Sequence, residues 1–225
     1  MSPAPRARAL LLDLDGTLLD TAPDMAGALN ALRVEEGRPP LPFASLRPWV
    51  SHGGIALVRA GFADVDDAGR EQLRLRFLDL YRASLSGGTR LFDGFAALLA
   101  RLDAARLPWG VVTNKPGWLT APLLADLGLD TRAGCVVSGD TLAVRKPDPA
   151  PLVHAAALLG IAPGECVYAG DAERDIIAGR AAGMRTVAVL WGYLAVGEDP
   201  AAWGPDAIAS VPDELARDLA LRTDG

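Results

Sequence analysis

The sequence predicts an α/β protein with a doubly wound parallel sheet and a small helical domain inserted near its N-terminus. Short strand-like runs recur that are apolar at every position, as in parallel strands buried on both faces. Helical patterns separate the later runs, which gives the alternation of strand and helix typical of this class. One interval is longer: roughly ninety residues lie between Leu14 and Trp109, where a whole βαβ unit takes about thirty.

Strand-like runs and helical patterns alternate along most of the chain. The strand-like runs are rich in Val or Leu and cover Ala9–Leu14, Trp109–Thr113, Cys135–Ser138, Cys166–Ala169 and Thr186–Leu190. The helical patterns cover Gly94–Ala105, Gly117–Gly128, Pro149–Gly160 and Asp171–Gly183. The glycines that end the last three suit helix C-caps, where the left-handed conformation is common. We expect a surface loop over Val196–Pro205, which contains Pro and Gly residues.

The long interval is predicted to be a helical insert, a name we use for residues 21–88. Helical patterns run over Pro23–Glu36, Gly53–Phe62 and Asp66–Leu85, and turn-forming residues stand at both ends of the insert. We therefore expect two domains. Residues 1–20 and 89–225 would form the α/β domain, and residues 21–88 would form a helical domain at its edge, near the end of the first strand.

Composition excludes several classes of protein. Half of the 225 residues are apolar, which is enough for a substantial core. The net charge of −6 argues against binding to nucleic acid or anionic lipid, which usually needs a basic surface. No apolar stretch is long enough to span a membrane, and Asp13 ends the first apolar run too early for a signal peptide. Cys135 and Cys166 predict small buried side chains in a reducing compartment, which favours the cytoplasm.

Acidic residues follow the first predicted strand. Asp13 and Asp15 occupy alternate positions, so an extended chain would direct both side chains to one face, and Gly16 permits a sharp turn after them. Carboxylates at the carboxyl end of a core strand lie where α/β folds bind ligands. Aspartates in such places often only cap helices, but the longer string DLDGTLLD makes that the weaker interpretation.

Two later strand ends carry groups suited to an anion. Thr113 and Asn114 precede a predicted helix whose free N–H groups could bind phosphate, although an ordinary helix cap is the alternative. Lys146 stands before a proline-rich turn that would hold its charge near the core; a solvated loop lysine is equally consistent. Lys115 and Lys146 are the only lysines among 22 Lys and Arg residues, so each invites a specific explanation. Asp148 is predicted to cap the turn.

The last acidic pair follows the run at Cys166–Ala169. Asp171 and Asp175 lie one helical turn apart on the same face. Carboxylates that meet where the strand order reverses would repel by about 4 kcal/mol per close pair at an effective dielectric constant near 20. A cation must offset that repulsion, and hard oxygen ligands favour Mg²⁺. With Lys146 added, the pattern predicts a metal-dependent phosphate site.

Four motifs stand in a fixed order, DLDGTLLD, TNK, KPDP and GDAERD. Together they resemble the haloacid dehalogenase superfamily of phosphatases, and the resemblance covers nearly the whole chain. The helical insert is similar to the small C1-type cap of that superfamily, which lies between its first two motifs. The resemblance implies a Rossmann-like core with a mobile cap, and phosphomonoester hydrolysis through an aspartyl-phosphate.

The resemblance implies roles for the acidic residues. Asp13 would be the nucleophile, and Asp15 would be the general acid for the leaving alkoxide and then the base for the hydrolytic water. Asp13, the backbone carbonyl of Asp15, and Asp171 would hold Mg²⁺, with Asp175 as a further ligand or an outer support. Dehalogenases of the superfamily usually lack the second acid, so Asp15 argues against dehalogenation.

The resemblance also implies how the phosphate is held. Thr113 and Asn114 would bind phosphate oxygens, and Lys146 would neutralise charge on the nucleophile and the phosphoryl group. Sugar phosphomutases share these motifs and stay an alternative. A regulator that is phosphorylated without turnover is a further alternative from another class, but such proteins need neither an insert nor the acid at Asp15.

Longer strings resemble two subgroups of the superfamily. DGTLLDTAPD and GDTLAVRKPDPAPL are similar to phosphoglycolate phosphatases, which makes 2-phosphoglycolate the first expected substrate. WGVVTNKP and WGYLAVGEDPAAWGPDAI are also similar to N-acetylmuramic acid 6-phosphate phosphatases, the alternative. The insert must distinguish the small phosphorylated metabolites, and Arg47, His52 and Gly53 are its most ligand-like residues. Trp49 is expected in the core of the insert. The pattern indicates no particular oligomeric state.

Overall fold

The computed structural model describes residues 7–219, without the side chain of Asp218. The strands in chain order are β1 (Ala9–Leu12), β2 (Leu19–Asp20), β3 (Arg90–Leu91), β4 (Trp109–Val112), β5 (Cys135–Val137), β6 (Cys166–Gly170), β7 (Arg185–Val189) and β8 (Ala207–Ala209). The helices are α1 (Ala22–Glu35), α2 (Phe43–Leu46), α3 (Gly53–Gly61), α4 (Asp67–Ala83), α5 (Phe95–Ala104), α6 (Gly117–Asp126), α7 (Ala150–Leu159) and α8 (Glu173–Ala181). Short 3₁₀ segments lie at Arg47–His52, Pro163–Glu165, Pro200–Trp203 and Pro212–Asp218.

Six of the strands form one parallel sheet in the order β5-β4-β1-β6-β7-β8. Both faces of this sheet are covered, because alternate residues of β1 enter two different apolar clusters. Leu10 and Leu12 pack into one cluster, and Ala9 and Leu11 pack into the other. The run of β1 is apolar at every position because both faces of this central strand are buried. The predicted doubly wound α/β class is confirmed.

The strand order reverses beside β1. From β1 the sheet extends through β4 to β5 on one side, and through β6, β7 and β8 on the other. In such sheets a crevice opens at the carboxyl ends of the two strands that flank the reversal. The segments that follow β1, β4 and β6 meet there, and they carry the four predicted aspartates together with Thr113 and Asn114, whereas Lys146 lies in the segment after β5.

Element boundaries differ from the predictions by up to two residues. The first run ends at Leu12 instead of Leu14, because Leu18 and Leu19 donate backbone hydrogen bonds back to Leu14 and form a turn. The sequence missed β8, which is short and lies at the edge of the sheet. The predicted loop over Val196–Pro205 is interrupted by a 3₁₀ turn.

The helical insert contains the three predicted helices, which correspond to α1, α3 and α4. The sequence missed α2 and the 3₁₀ segment Arg47–His52. It also missed the two-stranded antiparallel pair β2–β3, which joins the two connections between the insert and the sheet. Asp24 fastens these connections, because its carboxylate accepts hydrogen bonds from the backbone N–H groups of Gly88 and Thr89, both at 2.7 Å.

Trp49 does not lie in the core of the insert, so that prediction is wrong. Its side chain is 45 % exposed, whereas the next residue, Val50, is buried. Successive residues of a 3₁₀ turn point in different directions, and Val50 takes the inward one. The indole of Trp49 lies on the outside, with its ring centre 6.4 Å from that of His52.

Smaller predictions agree with the structure. Cys135 and Cys166 are free and buried. Gly128, Gly160 and Gly183 have φ values of +65°, +66° and +74°, as expected at helix ends. Among residues 7–219, no helix is both long and apolar enough to cross a bilayer. The predicted α/β domain includes residues 1–6 and 220–225, which lie outside the described residues.

Candidate active site

A buried ion cluster forms where the loops after β1 and β6 meet. The Lys146 ammonium contacts Asp13 Oδ1 at 2.8 Å and Asp175 Oδ1 at 2.7 Å. It also donates to the Tyr168 hydroxyl at 2.7 Å and to the Val112 carbonyl at 2.8 Å. One fully buried lysine thus joins two carboxylates that stand far apart in the sequence, which rules out the alternative of a solvated loop lysine.

Asp171 completes the group of buried acids. Its Oδ2 accepts hydrogen bonds from the Ser51 hydroxyl at 2.5 Å and from the Tyr193 N–H at 3.0 Å. Gly16 passes so close that a Cβ there would collide with the Asp171 carboxylate, and its φ of +83° also disfavours any other residue. Glycine after Asp15 is therefore needed both for the turn and for the approach of Asp171.

The acids Asp13, Asp171 and Asp175 offer oxygen atoms that all lie within 4.8 Å of one another. Burial, followed by the charges of Asp13 and Asp175, raises the pKa of Asp171 to about 7. Burial also raises the pKa of Asp13, although Lys146 opposes this. Three carboxylates, two of which share one buried ammonium, are hard oxygen donors of the kind that suit a divalent metal ion. The residues present therefore fit such an ion.

The acids are not equivalent as ligands. Asp175 Oδ1 accepts hydrogen bonds from Lys146 and Tyr168, and Oδ2 accepts one from the N–H of Ala172 at 3.1 Å. Both of its oxygens are engaged within the protein. This favours a supporting position for Asp175 over direct ligation, the two alternatives that the sequence left open.

Asp15 lies in a second, separate ion pair. Its Oδ1 accepts hydrogen bonds from the Thr21 hydroxyl at 2.7 Å and from the Lys115 ammonium at 2.9 Å. Burial alone would lower the pKa of Lys115, but Asp15 and Tyr81 raise it above its ordinary value, so the ammonium stays charged. Asp13 and Asp15 are thus only two positions apart in the sequence, yet they pair with different lysines, Lys146 and Lys115.

The polar residues after β4 have partners within the protein. Asn114 bonds to the backbone of Lys146 through both ends of its amide, at 2.9 Å and 3.0 Å. The Thr113 hydroxyl oxygen accepts a hydrogen bond from the N–H of Lys115 at 3.1 Å, and its own proton is available for another acceptor. Asn114 therefore positions Lys146, whereas Thr113 can still donate to a ligand.

A cavity of about 840 Å³ opens above these groups, between the sheet and the insert. The sheet side contributes Asp13, Asp15, Thr113 and Lys146. The insert contributes residues on α1, on α4 and between 50 and 55, among them Met25, Ser51, His52, Gly53, Phe77 and Tyr81. Arg174 also lines the cavity and donates to the Ser51 carbonyl at 2.5 Å, which links α8 to the insert. The volume lies within the range of about 300–1,000 Å³ that is typical of small-molecule sites.

The predicted residues of the insert have different positions. His52 and Gly53 line the cavity, although His52 ends a 3₁₀ turn instead of occupying the expected loop. Arg47 is not among the lining residues. Its guanidinium donates to the carbonyls of Gly192 and Trp191 at 2.9 Å and 3.1 Å, and it lies 4.9 Å from the centre of the Tyr193 ring. Arg47 therefore fastens the insert to the sheet, which argues against the predicted contact with substrate.

Sequence reasoning missed several residues of the cavity. Tyr81 and Ser51 come from the insert, where no motif marks them. Arg174 stands within the GDAERD motif but was not singled out. Lys115 carried a usable signal, because a lysine in a chain that otherwise uses arginine invited an explanation.

The pKa of Asp171 leads to a stability prediction. Between about pH 4 and 7 the folded, metal-free protein holds a proton on Asp171 that the unfolded chain has released, so the free energy of unfolding falls as pH rises. The Tm in EDTA should therefore drop by a few degrees from pH 5.5 to 8 because of this group. Asp171→Asn should show a smaller drop, and a divalent metal ion should raise the wild-type Tm more at pH 8. Equal pH slopes for both proteins would contradict the assignment.

A doubly wound sheet with buried aspartates and a paired lysine beneath an open cavity is the arrangement expected of a hydrolase that acts on phosphate esters. The sequence model of the haloacid dehalogenase-like hydrolase family matches residues 7–183. The chain belongs to this family, and it is an enzyme of the phosphatase type. The resemblance seen in the four motifs is thereby confirmed.

Known relatives agree with this assignment. A phosphoglycolate phosphatase of Xanthomonas campestris is 49 % identical over 208 residues, which cover 92 % of this chain and 94 % of the relative. An N-acetylmuramic acid 6-phosphate phosphatase of Pseudomonas aeruginosa is 43 % identical over 211 residues, 93 % of each chain. A crystal structure described as a "predicted phosphoglycolate phosphatase" from Haemophilus somnus superposes with a TM-score of 0.83 at 25 % identity, over 96 % of this chain and 99 % of that one.

Proposed function

We propose that this protein is a Mg²⁺-dependent phosphomonoesterase that works through an aspartyl-phosphate on Asp13. One observation carries the proposal: Asp13 and Asp15 line the same cavity, while only Asp13 is paired with the buried Lys146. Two neighbouring carboxylates in different electrostatic surroundings can take different roles, one as nucleophile and one as acid and base.

The reaction has two steps. An oxygen of Asp13 attacks phosphorus and forms a P–O bond, while the bond between phosphorus and the leaving oxygen breaks. Protonated Asp15 donates its proton to the leaving oxygen at the same time. Asp15, now a carboxylate, takes a proton from water as the water attacks the aspartyl-phosphate. The P–O bond to Asp13 breaks, inorganic phosphate leaves, and Asp15 holds a proton again. Lys115 and Thr21 keep Asp15 in place through hydrogen bonds of 2.9 and 2.7 Å.

The phosphoryl group carries negative charge as it is transferred to Asp13, and cations held nearby by the protein can stabilise that charge. Lys146 lies against Asp13, where it offsets charge on the nucleophile and the phosphoryl oxygens. Asn114 holds the backbone of Lys146, and the Thr113 hydroxyl is free to donate to a phosphate oxygen. Asp13, Asp171 and the backbone carbonyl of Asp15 would hold Mg²⁺, with Asp175 as their support. When bound, the metal supplies positive charge that orients and neutralises the phosphoryl group.

The first candidate substrate is 2-phosphoglycolate. This substrate appears in the name of the 49 % identical relative from Xanthomonas campestris, whose sequence aligns with this chain over almost the full length of both. N-acetylmuramic acid 6-phosphate is the second candidate, because it appears in the name of the 43 % identical relative from Pseudomonas aeruginosa, and a cavity of about 840 Å³ has room for its sugar ring. Both candidates are phosphate esters that also carry a carboxylate.

Phosphate release with Mg²⁺ tests the proposal. The values of kcat/KM for 2-phosphoglycolate and N-acetylmuramic acid 6-phosphate should be measured side by side on the same preparation. A large preference for the first means that the insert closes over a small acid; a large preference for the second means that the cavity is filled by the sugar. Activity should disappear in EDTA and return with Mg²⁺. Conversion of a hexose 1-phosphate without net phosphate release would instead indicate a phosphomutase.

We also propose that residues 21–88 are a cap domain on the α/β domain of residues 1–20 and 89–225. The antiparallel pair β2–β3 at the two crossings and the cavity beneath the insert support this division. A cap that closes would exclude water from the phosphoenzyme. A cytoplasmic location and the lack of nucleic-acid or membrane partners stay predictions from composition.

A further inference from the structure

The hydroxyl group of Tyr81 has no hydrogen-bond partner among the described residues, and it is the one buried side-chain N or O atom there of which this is true. Tyr81 is 1 % exposed, lies on α4 and lines the cavity. An unpaired buried hydroxyl costs about 1–3 kcal/mol relative to a paired one. Native proteins contain few such groups, and each calls for an explanation such as a catalytic role or a partner that the free protein lacks.

Lys115 lies beside this hydroxyl, and its ammonium group also has an N–H donor without an acceptor. Its ammonium is 4.7 Å from the centre of the Tyr81 ring and lies close enough to the hydroxyl for the two groups to interact electrostatically. An ammonium has three N–H donors. Within residues 7–219 the Lys115 ammonium donates to Asp15 at 2.9 Å and lies against the Tyr81 side chain, so at least one donor stays available. Lys115 lines the same cavity and is buried.

The two side chains therefore present unused donors at one place, next to Asp15. A partner must supply several acceptor lone pairs, and beside a buried ammonium a negative charge is favoured. A carboxylate meets both conditions. Its two oxygens can accept about four hydrogen bonds, and it carries a negative charge. A single neutral hydroxyl accepts fewer bonds and brings no charge.

We propose that Tyr81 and Lys115 form a subsite that binds a carboxylate on the leaving group of the substrate. The inference rests on the proposed function, in which Asp15 protonates the leaving oxygen. Because Lys115 touches Asp15, the carboxylate must be attached within a few bonds of the ester oxygen. The substrate class is thus a phosphorylated short hydroxy acid, which includes 2-phosphoglycolate. In N-acetylmuramic acid 6-phosphate the carboxylate is on the far side of the sugar ring from the ester.

A matched pair of esters tests the subsite. 2-Phosphoglycolate and 2-hydroxyethyl phosphate differ in whether the leaving group ends in a carboxylate or a hydroxymethyl group, so the ratio of their kcat/KM values measures recognition of the carboxylate. In Tyr81→Phe this ratio should fall about tenfold or more, as expected for loss of a hydrogen bond to a charged group. Lys115→Met should lower the ratio in the same direction. Leu158→Ala, at an exposed position of α7 that does not line the cavity, is the control and should leave the ratio unchanged.

Stability gives a readout that separates binding from structure. Tyr81→Phe removes a hydroxyl that has no partner, so the Tm of the free protein should stay the same or rise. A ratio that stays within about twofold of wild type in both variants would overturn the subsite alone. A wild-type enzyme that hydrolyses only the large sugar acid would also overturn the subsite and leave the phosphatase proposal standing. A wild-type enzyme that hydrolyses no phosphate ester would overturn both.

Discussion

Asp13→Asn is expected to abolish turnover while the fold stays intact. An amide cannot form the acyl-phosphate bond, and loss of a nucleophile from a concerted site costs on the order of 10⁴–10⁶ in kcat. Burial raises the pKa of Asp13, so the folded metal-free protein already disfavours its charge. The neutral asparagine should therefore leave the Tm unchanged or raise it, because Asp175 still pairs with Lys146.

Asp148→Asn provides the control for this variant. Asp148 lies in the neighbouring turn and is exposed, and it accepts a hydrogen bond from the N–H of Ala150 at 2.8 Å, the capping role predicted for it. Asparagine can also cap, so this variant should keep wild-type kcat/KM and Tm. Phosphate release should be measured for both variants with Mg²⁺, alongside thermal melts. An Asp13→Asn enzyme with wild-type turnover would contradict the assignment of the nucleophile.

Lys146→Met is expected to impair both stability and activity. The ammonium is 1 % exposed and pairs with Asp13 and Asp175, whose side chains are 5 % and 0 % exposed. Removing one partner of a buried ion pair leaves charges without compensation and costs about 3–5 kcal/mol. Thermal or urea unfolding should show this loss, and kcat should fall as well because the charge on the phosphoryl group is no longer offset.

The other lysine of the chain provides a graded comparison. Lys115 pairs with one carboxylate, that of Asp15, whose side chain is 16 % exposed. Lys115→Met should therefore destabilise the protein less than Lys146→Met. The deficit of Lys146→Met should also shrink on acidification, because carboxylates that take up protons no longer need a counter-ion. Equal unfolding free energies for the two variants would mean that the cluster around Lys146 does not stabilise the fold as described.

The sheet and the acidic residues could be predicted because the signals are local. The strands around β1 are apolar at every position, and the parallel ladder buries them on both faces, so pattern and structure have the same cause. Asp13, Asp171 and Lys146 each follow a strand or precede a rigid turn, and the carboxyl ends of parallel strands bring them together. Glycine at Gly16 could be recognised for the same reason, since a backbone turn is a property of one position.

The contacts of the insert could not be predicted in this way. Arg47 was expected at the substrate, but its guanidinium binds carbonyls that lie 144 and 145 positions later in the chain. Trp49 and Val50 differ in burial only because a 3₁₀ turn directs one outward, and no periodic pattern marks so short an element. Tyr81 is one aromatic residue of an ordinary helical pattern. Its unpaired hydroxyl becomes visible only when α4 is placed over Lys115.

The central claim is that phosphate is transferred to Asp13, and trapping that intermediate tests it most directly. In Asp15→Asn the general base for the second step is missing, so hydrolysis of the intermediate should be slow. The first step can still occur with p-nitrophenyl phosphate, because nitrophenolate leaves without being protonated. Rapid mixing should therefore give a burst of one nitrophenolate per active site, and acid quenching with peptide mass spectrometry should locate one phosphoryl group on Asp13. A burst without a covalent adduct, or a phosphoryl group on any other residue, would contradict the account.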